Sequence, residues 1–158
     1  PNPQKQRVLV DGLDVTEEIR SPRVTQNVSR YAQIGRVREF LVHKQREIAQ
    51  GKGVVMDGRD IGTHVLPDAE VKIFLTASVK ERALRRFREM KAKHPELTLE
   101  QLEKDIQQRD LMDSQRAVSP LVQAPDAILI DSTGMTIDQV VHQILEICRT
   151  QSGRANKL

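Results

Sequence analysis

The chain has 158 residues, 38% hydrophobic, 30% charged and only 3% aromatic, and 25 basic against 22 acidic side chains leave a net charge of +3. That length suits one domain, with room for a small inserted one, and buries enough surface for a core without disulfide or metal staples. A lone cysteine (Cys148), no apolar run near the ~20 residues of a membrane span, and a polar start (Pro-Asn-Pro-Gln-Lys-Gln-Arg) exclude disulfide-scaffold, membrane-spanning and secreted readings and point to a reducing, cytoplasmic compartment.

In chain order, residues 8–20 predict a short hairpin turned at Asp11-Gly12. Ser21-Pro22 predicts a helix start, with Val24, Val28 and Tyr31 as its buried stripe. After Gly35 a second helix is expected to about Gln50, burying Val37, Leu41, Ile48 and Ala49, with Gly51 and Gly53 ending it. The texture then changes. Val54–Asp57, Val71–Leu75 and Ala127–Asp131 are short apolar runs that read as strands buried on both faces, as in a parallel sheet covered by helices. The first two are separated by 13 residues with no convincing helix. A parallel crossover usually needs one, so these two strands are not expected to be neighbours. Three capping boxes, Ser78–Glu81, Thr98–Gln101 and Thr136–Gln139, open helices expected to reach about Lys93, Arg116 and Cys148, with fraying from Gln151.

Arginine supplies 16 of the 25 basic residues. Its flat fork grips phosphate or carboxylate at two points, so the bias hints at phosphorylated ligands. Three constellations sharpen the hint. Asp57-Gly58-Arg59-Asp60-Ile61-Gly62-Thr63 follows an apolar run, where ligands sit in open α/β sheets; it also reads as a strand-end turn closed by an Arg–Asp pair. In the run from Arg109 to Arg116, Asp113 lies about 40° and Arg116 about 20° from Arg109 on a helical wheel. Those three could hold a phosphate and a ribose hydroxyl, or form a salt-bridge ladder on a solvated helix. Arg82, Arg85 and Arg86 fall on one side of a helix in a stretch, 80–93, with seven basic and two acidic residues. Such a cluster attracts polyphosphate or a nucleic-acid backbone, and it also fits a solvated basic face. Ser29 and Arg38 read as helix-surface residues unless these sites are real.

Other chemistries are set aside. His43, His64, His94, His142 and Cys148 have no metal-ligand spacing, and no nucleophile elbow is present. Four aromatic residues offer no platform for stacking single-stranded nucleic acid. Gly51-Lys52-Gly53 is not a phosphate loop, because Arg46 and Gly53 stand where that motif needs glycine and Ser/Thr.

Val-Val-Met-Asp-Gly-Arg-Asp-Ile-Gly-Thr (54–63), Glu-Arg-Ala-Leu-Arg-Arg (81–86) and Arg-Asp-x-x-Asp-x-x-Arg-x-x-Ser-Pro-Leu (109–121) closely resemble the bacterial cytidylate kinase family. Asp-Gly-x-Asp-Val-Thr-x-x-Ile-Arg (11–20) and Val-Arg-Glu (37–39) fit as well, and the similarity runs in order from about residue 7 to 150. The resemblance implies an α/β fold of the P-loop NTPase type found in nucleoside monophosphate kinases, a parallel sheet flanked by helices. It implies transfer of the γ-phosphoryl group of ATP to CMP or dCMP, with Mg²⁺.

Ser29, Arg38 and Asp60 then stand where the family reads cytosine. Arg59 and Arg116 stand on the CMP phosphate, and Arg109 and Asp113 on the ribose. Arg82, Arg85 and Arg86 border a lid over the phosphates. Residues 1–50 form an NMP-binding insertion, and 51–158 a partial kinase core with its lid around 87–98. The partners implied are CMP, dCMP and ATP, with no nucleic acid or membrane, and a monomer is expected.

Family members begin with a strand, a glycine-rich loop carrying a lysine, and a helix, whereas this chain begins after them. The ATP-phosphate cradle and the Mg²⁺-binding hydroxyl are therefore expected outside these residues, and the 158 residues alone are expected to have little or no kinase activity. The alternatives are another nucleoside monophosphate kinase, acting on UMP or AMP, or a non-catalytic arginine-rich module that binds nucleotides or nucleic acid.

Overall fold

Asp11 and Gly12 both take positive φ (50° and 82°), the pattern of a two-residue type I′ turn, which glycine meets without steric cost. They join β1 (Leu9–Val10) to the antiparallel β2 (Leu13–Asp14), pairing Val10 with Leu13. This is the expected hairpin, seen in a computed structural model that describes residues 7–51 and 53–155, the last four by backbone alone. Residues 1–6 of the polar start and Lys52 of the Gly51-Lys52-Gly53 run lie outside the described residues.

Asp14 locks the hairpin. It accepts from Thr16 Oγ1 at 2.6 Å and Thr16 N at 3.0 Å, and from Arg7 Nε at 2.8 Å. The Thr16 bonds, led by its hydroxyl, hold the carboxyl down to about 2 from an ordinary 3.8. A depressed folded value means that the contribution of these bonds is present above the ordinary value and is lost as pH falls through about 2. A carboxyl-resolved NMR titration is expected to place the Asp14 midpoint near 2. An ordinary midpoint would show that the Thr16 bonds do not persist in solution.

A short 3₁₀ turn (Glu18–Arg20) leads to α1 (Pro22–Ala32), whose Ser21 cap accepts from Val24 N at 3.4 Å. The second helix, α2, spans Gly35–Ala49. Both exist as expected, but their predicted stripes do not hold: Val24, Val28, Tyr31, Val37, Leu41 and Ile48 are all exposed. Ser29, Arg38 and Val42 are buried instead. On α2 the reason is electrostatic. The inner side of α2 docks through its arginines, Arg38 to Asp60 and Arg46 to the carbonyls of His64 (2.7 Å) and Val65 (2.9 Å).

The run Val54–Asp57, expected as a strand, is irregular, and Val55 is fully exposed. A strand exists through a ladder to a neighbour, and among the described residues none pairs with it. The segment that follows, expected to lack a helix, contains one π-helical turn, Ile61–Val65, closed by Val65 N to Asp60 O (3.2 Å) and Leu66 N to Ile61 O (2.7 Å). Five residues are too few to show a periodicity. The entry is tight: a Cβ on Gly58 would sit 2.9 Å from Ile61 Cγ1.

Next, β3 (Ile73–Thr76) pairs directly with β4 (Ile128–Asp131) in parallel, from Ile73 opposite Ile128 to Thr76 opposite Asp131. The expected burial on both faces holds for Ile130, at 1% exposure, but Leu75 and Leu129 are half exposed. Between these strands lie α3 (Val79–Met90) and α4 (Leu99–Gln115), which pack against each other, and α5 (Ile137–Ala155) follows. The capping oxygen forms at all three predicted boxes, with Ser78 accepting from Glu81 N, Thr98 from Gln101 N and Thr136 from Gln139 N, but the reciprocal bond of a full box is present only at Thr136, whose N donates to Gln139 Oε1 at 2.8 Å. The backbone of α5 remains helical to Ala155, past the expected onset of fraying at Gln151, and residues 156–158 of that tail lie outside the described residues. Helix α3 stops at Met90, short of Lys93, and Lys91 Nζ bonds the carbonyls of Pro95 and Leu97 in the loop beyond. The small residues Ala77, Ala83 and Ala124 are buried with Val65, Leu102 and Ile130. Among the described residues no helix is long and apolar enough to cross a membrane.

Candidate functional site

Four ionised side chains from three parts of the chain form a buried row. Arg38, on α2, donates from Nη2 to Asp60 Oδ2, at the entry to the π turn. The other oxygen of Asp60 faces Arg116 Nη2 at 3.8 Å, and Arg116 Nη1 lies 4.0 Å from Asp113 Oδ1. All four residues are buried. Buried charge is costly unless it is paired, and here two cations offset two anions.

Asp113 and Arg116 come together because the chain folds back over the end of α4. Arg116 is its extended C-cap, Leu121 N bonds the Asp113 carbonyl at 2.8 Å, and Arg116 Nε donates to the carbonyl of Ser119. Ser119 has φ of 52°, a left-handed conformation that side chains with a Cβ adopt at a cost and that clusters at functional sites.

A second tier lies beside the row. Arg59 approaches Asp113 Oδ2 through Nε at 3.2 Å and Asp110 Oδ1 through Nη1 at 3.3 Å. Arg109 Nε lies 3.7 Å from Asp113 Oδ2. Arg82 donates to Asp110 Oδ2 at 2.6 Å and, from Nε, to the Ala77 carbonyl at 3.0 Å. Among the described residues, the carboxylates that Arg38, Arg59, Arg82, Arg109 and Arg116 face are Asp60, Asp110 and Asp113, so the joined tiers carry an excess of two positive charges. Burial first, and then the Arg38 guanidinium, pulls the Arg116 pKa below its ordinary value, against Asp60 and Asp113. Burial and Arg59 do the same to Arg109, opposed by Asp113. Guanidinium groups start so high that both remain charged at neutral pH.

Seven of the ten residues singled out from sequence, all but Ser29, Arg85 and Arg86, meet in this assembly. Ser29 is buried on α1, and Arg86 reaches α1 by bonding Thr25 Oγ1 at 3.0 Å. Arg85 turns elsewhere: it holds Glu81 at 2.9 Å, the Ser132 carbonyl at 2.6 Å and the Met135 carbonyl at 3.4 Å, bracing the exit of β4. Arg82, Arg85 and Arg86 share one helix side in sequence, yet they reach α4, the β4 exit and α1 respectively.

Sequence reasoning missed Asp110 and Ser119. Asp110 lies about 100° around the helix from Arg109, off the face that the 109/113/116 spacing selects. Ser119, just before Pro120, offered only a backbone signal.

Several buried polar atoms have no hydrogen-bond partner among the described residues: Ser29 Oγ, Arg38 Nε, Arg109 Nε, Arg116 Nη2, Asp113 Oδ2 and Ser119 Oγ. Buried polar groups are normally satisfied, so donors and acceptors gathered beside an excess of positive charge suit an anionic ligand with a polar edge. No group of three or more His, Cys, Asp or Glu among the described residues could hold a metal ion. Asp60, Asp110 and Asp113 are all engaged with guanidiniums, so they do not fit Mg²⁺ ligation.

A family model described as cytidylate kinase matches residues 2–150. The chain is 65% identical over 142 residues to a protein of Desulforamulus reducens named cytidylate kinase, covering 90% of this chain and 64% of that protein. It is 56% identical over 145 residues to a protein of the same name from Alkaliphilus oremlandii, covering 92% of this chain and 67% of that protein. A third of that name, from Desulfitobacterium hafniense, is 57% identical over 141 residues, covering 89% and 61%. The chain therefore spans just under two thirds of the length of most of these relatives.

Proposed function

The chain belongs to the cytidylate kinase family, with the P-loop nucleoside monophosphate kinase fold that membership implies, and from that premise we propose that it carries the acceptor site of a kinase passing the ATP γ-phosphoryl group to CMP or dCMP. The supporting observation is the buried Arg38–Asp60–Arg116–Asp113 row, with its unpartnered polar atoms beside an excess of positive charge.

Cytosine presents an amino donor where uracil presents an acceptor. Asp60 accepts from that amino group, while Arg38 and Ser29 serve the acceptor side of the ring. Uracil would turn an oxygen toward the Asp60 carboxylate, which is the physical basis of selectivity. Arg59 and Arg116 hold the CMP phosphate, and Arg109 and Asp113 the ribose hydroxyls. Arg82 and Arg86 neutralise charge on the donor side, and Arg85 braces the β4 exit beside them. Phosphoryl transfer depends on positioning and charge neutralisation more than on covalent chemistry, and fixed guanidiniums supply both. Residues 1–50 act as the NMP-binding insertion, and 51–158 as core with a lid around 87–98 that excludes water. The protein works as a cytoplasmic monomer on small nucleotides, without nucleic acid or membrane partners.

The 158 residues contain no Gly-x-x-x-x-Gly-Lys-Ser/Thr run, so nothing within them cradles the ATP phosphates. Two measurements test the reading. Calorimetry on these 158 residues is expected to rank CMP and dCMP above UMP and AMP by about tenfold or more; UMP or AMP ranking first overturns the choice of base. Binding that ignores CMP competition and falls steeply with salt points to nucleic acid instead. A coupled ATP/CMP assay is expected to find little turnover, and turnover near that of a complete kinase would contradict the missing cradle.

A further inference from the structure

Asp110 has no role in the site as drawn from sequence, yet it holds two of its arginines. Its Oδ1 faces Arg59 Nη1 at 3.3 Å and its Oδ2 accepts from Arg82 Nη2 at 2.6 Å. The two partners come from the turn after Asp57 and from α3, and Asp110 itself stands on α4. We propose that Asp110 is a positioning residue that ties the arginine on the acceptor phosphate, Arg59, to the arginine on the donor side, Arg82. The proposal rests on the nucleotide reading above.

A lone, half-buried ion pair is worth little. This carboxylate is different because of what else grips its partners. Arg59 Nε also lies in ion-pair range of Asp113 Oδ2, at 3.2 Å, and Arg82 Nε donates to the Ala77 carbonyl. Each guanidinium therefore faces partners at two of its three nitrogens, Arg82 through two hydrogen bonds and Arg59 through one hydrogen bond and one ion-pair approach, and the third, Nη2 of Arg59 and Nη1 of Arg82, takes no part in these contacts. Two guanidiniums side by side repel, and one shared anion lets them stand together. Both forks are thus ordered before a phosphate arrives, so binding need not immobilise two long side chains. Because one carboxylate serves both, a shift of either arginine is felt by the other.

The readout is the preference of the 158-residue chain for CMP over cytidine, which isolates the phosphate. Asp110→Asn keeps volume and one acceptor oxygen but removes the charge. It is expected to shrink that preference about tenfold while leaving cytidine affinity and melting temperature unchanged. Asp110→Glu restores the charge and is expected to recover part of the preference. Arg82→Gln, cutting the far end of the tie, is expected to lower it about two- to threefold. An undiminished preference in Asp110→Asn overturns the proposal, and so does loss of cytidine binding with it, which marks a structural role. No effect of Arg82→Gln on CMP removes the tie. If the unmutated chain itself does not prefer CMP over cytidine, the nucleotide reading fails and this proposal falls with it.

Discussion

Asp60→Asn is expected to abolish base selectivity and to loosen α2 from the rest of the chain. The two effects have one cause. Asp60 is buried between Arg38 and Arg116, and its carboxylate is the shared counter-ion of both. An amide of the same shape leaves two buried guanidiniums facing a neutral group. Breaking a buried pair by removing one partner costs about 3–5 kcal/mol, because the other charge stays buried. For a chain of this size that corresponds to a fall in melting temperature of roughly 6–20 °C. The amide also presents a donor as readily as an acceptor to the base edge, so uracil is no longer repelled. Calorimetry should show cytidine and CMP weakened together, by about thirtyfold or more, and the CMP-over-UMP ratio collapsing toward one. Hydrogen exchange should rise along 35–49. A variant that keeps its ratio and its melting temperature would remove Asp60 from the base site.

Arg116→Ala is expected to be comparably damaging but to sort the ligands differently. Its guanidinium faces Asp60 and Asp113 and donates to the Ser119 carbonyl, which a left-handed residue presents. Alanine leaves two buried carboxylates short of a cation, at a cost again of about 3–5 kcal/mol, and removes one of two guanidiniums assigned to the phosphate. CMP affinity should fall by about thirtyfold or more, while cytidine affinity, which owes nothing to the phosphate, falls less. Arg116→Lys separates the two contributions. The ammonium can still neutralise Asp60 and Asp113, so stability should largely return, but a point charge cannot reproduce the fork, so CMP affinity should not. Unchanged CMP calorimetry in Arg116→Ala would falsify its assignment to the phosphate. Asp60 and Arg116 thus form a crossed pair, one expected to affect base and nucleotide alike and the other mainly the phosphate.

How far the sequence reaches is clearest in particular elements. The hairpin, the capped helix starts and the two paired strands were legible because each rests on a local rule: an Asp-Gly turn, a side-chain oxygen three residues before a helical N–H, a short apolar run. The stripes on α1 and α2 were not. Periodicity reports an apolar face, but Arg38 and Arg46 dock the other face through ion pairs and carbonyl bonds that no period encodes. Val54–Asp57 reads as a strand for the same local reason that β3 does, yet a ladder needs a partner, and pairing is not a property of one segment.

The candidate site divides along the same line. Residue types and spacing alone pointed to a phosphate-seeking arginine cluster, and family resemblance distributed Ser29, Arg38, Arg59, Asp60, Arg109, Asp113 and Arg116 over one nucleotide. What only the tertiary structure decided is who holds whom. It turned Arg85 toward the β4 exit, brought Arg59 and Arg82 onto a single carboxylate at Asp110, and bent Ser119 into a left-handed conformation behind Arg116. The physical reason is the long arginine side chain. A guanidinium at the end of several rotatable bonds can reach partners many residues away in sequence, and only packing and burial of the neighbouring carboxylates select among them. The sequence by itself determined the chemistry that this chain can offer a ligand; the fold determined which guanidiniums stand together to offer it.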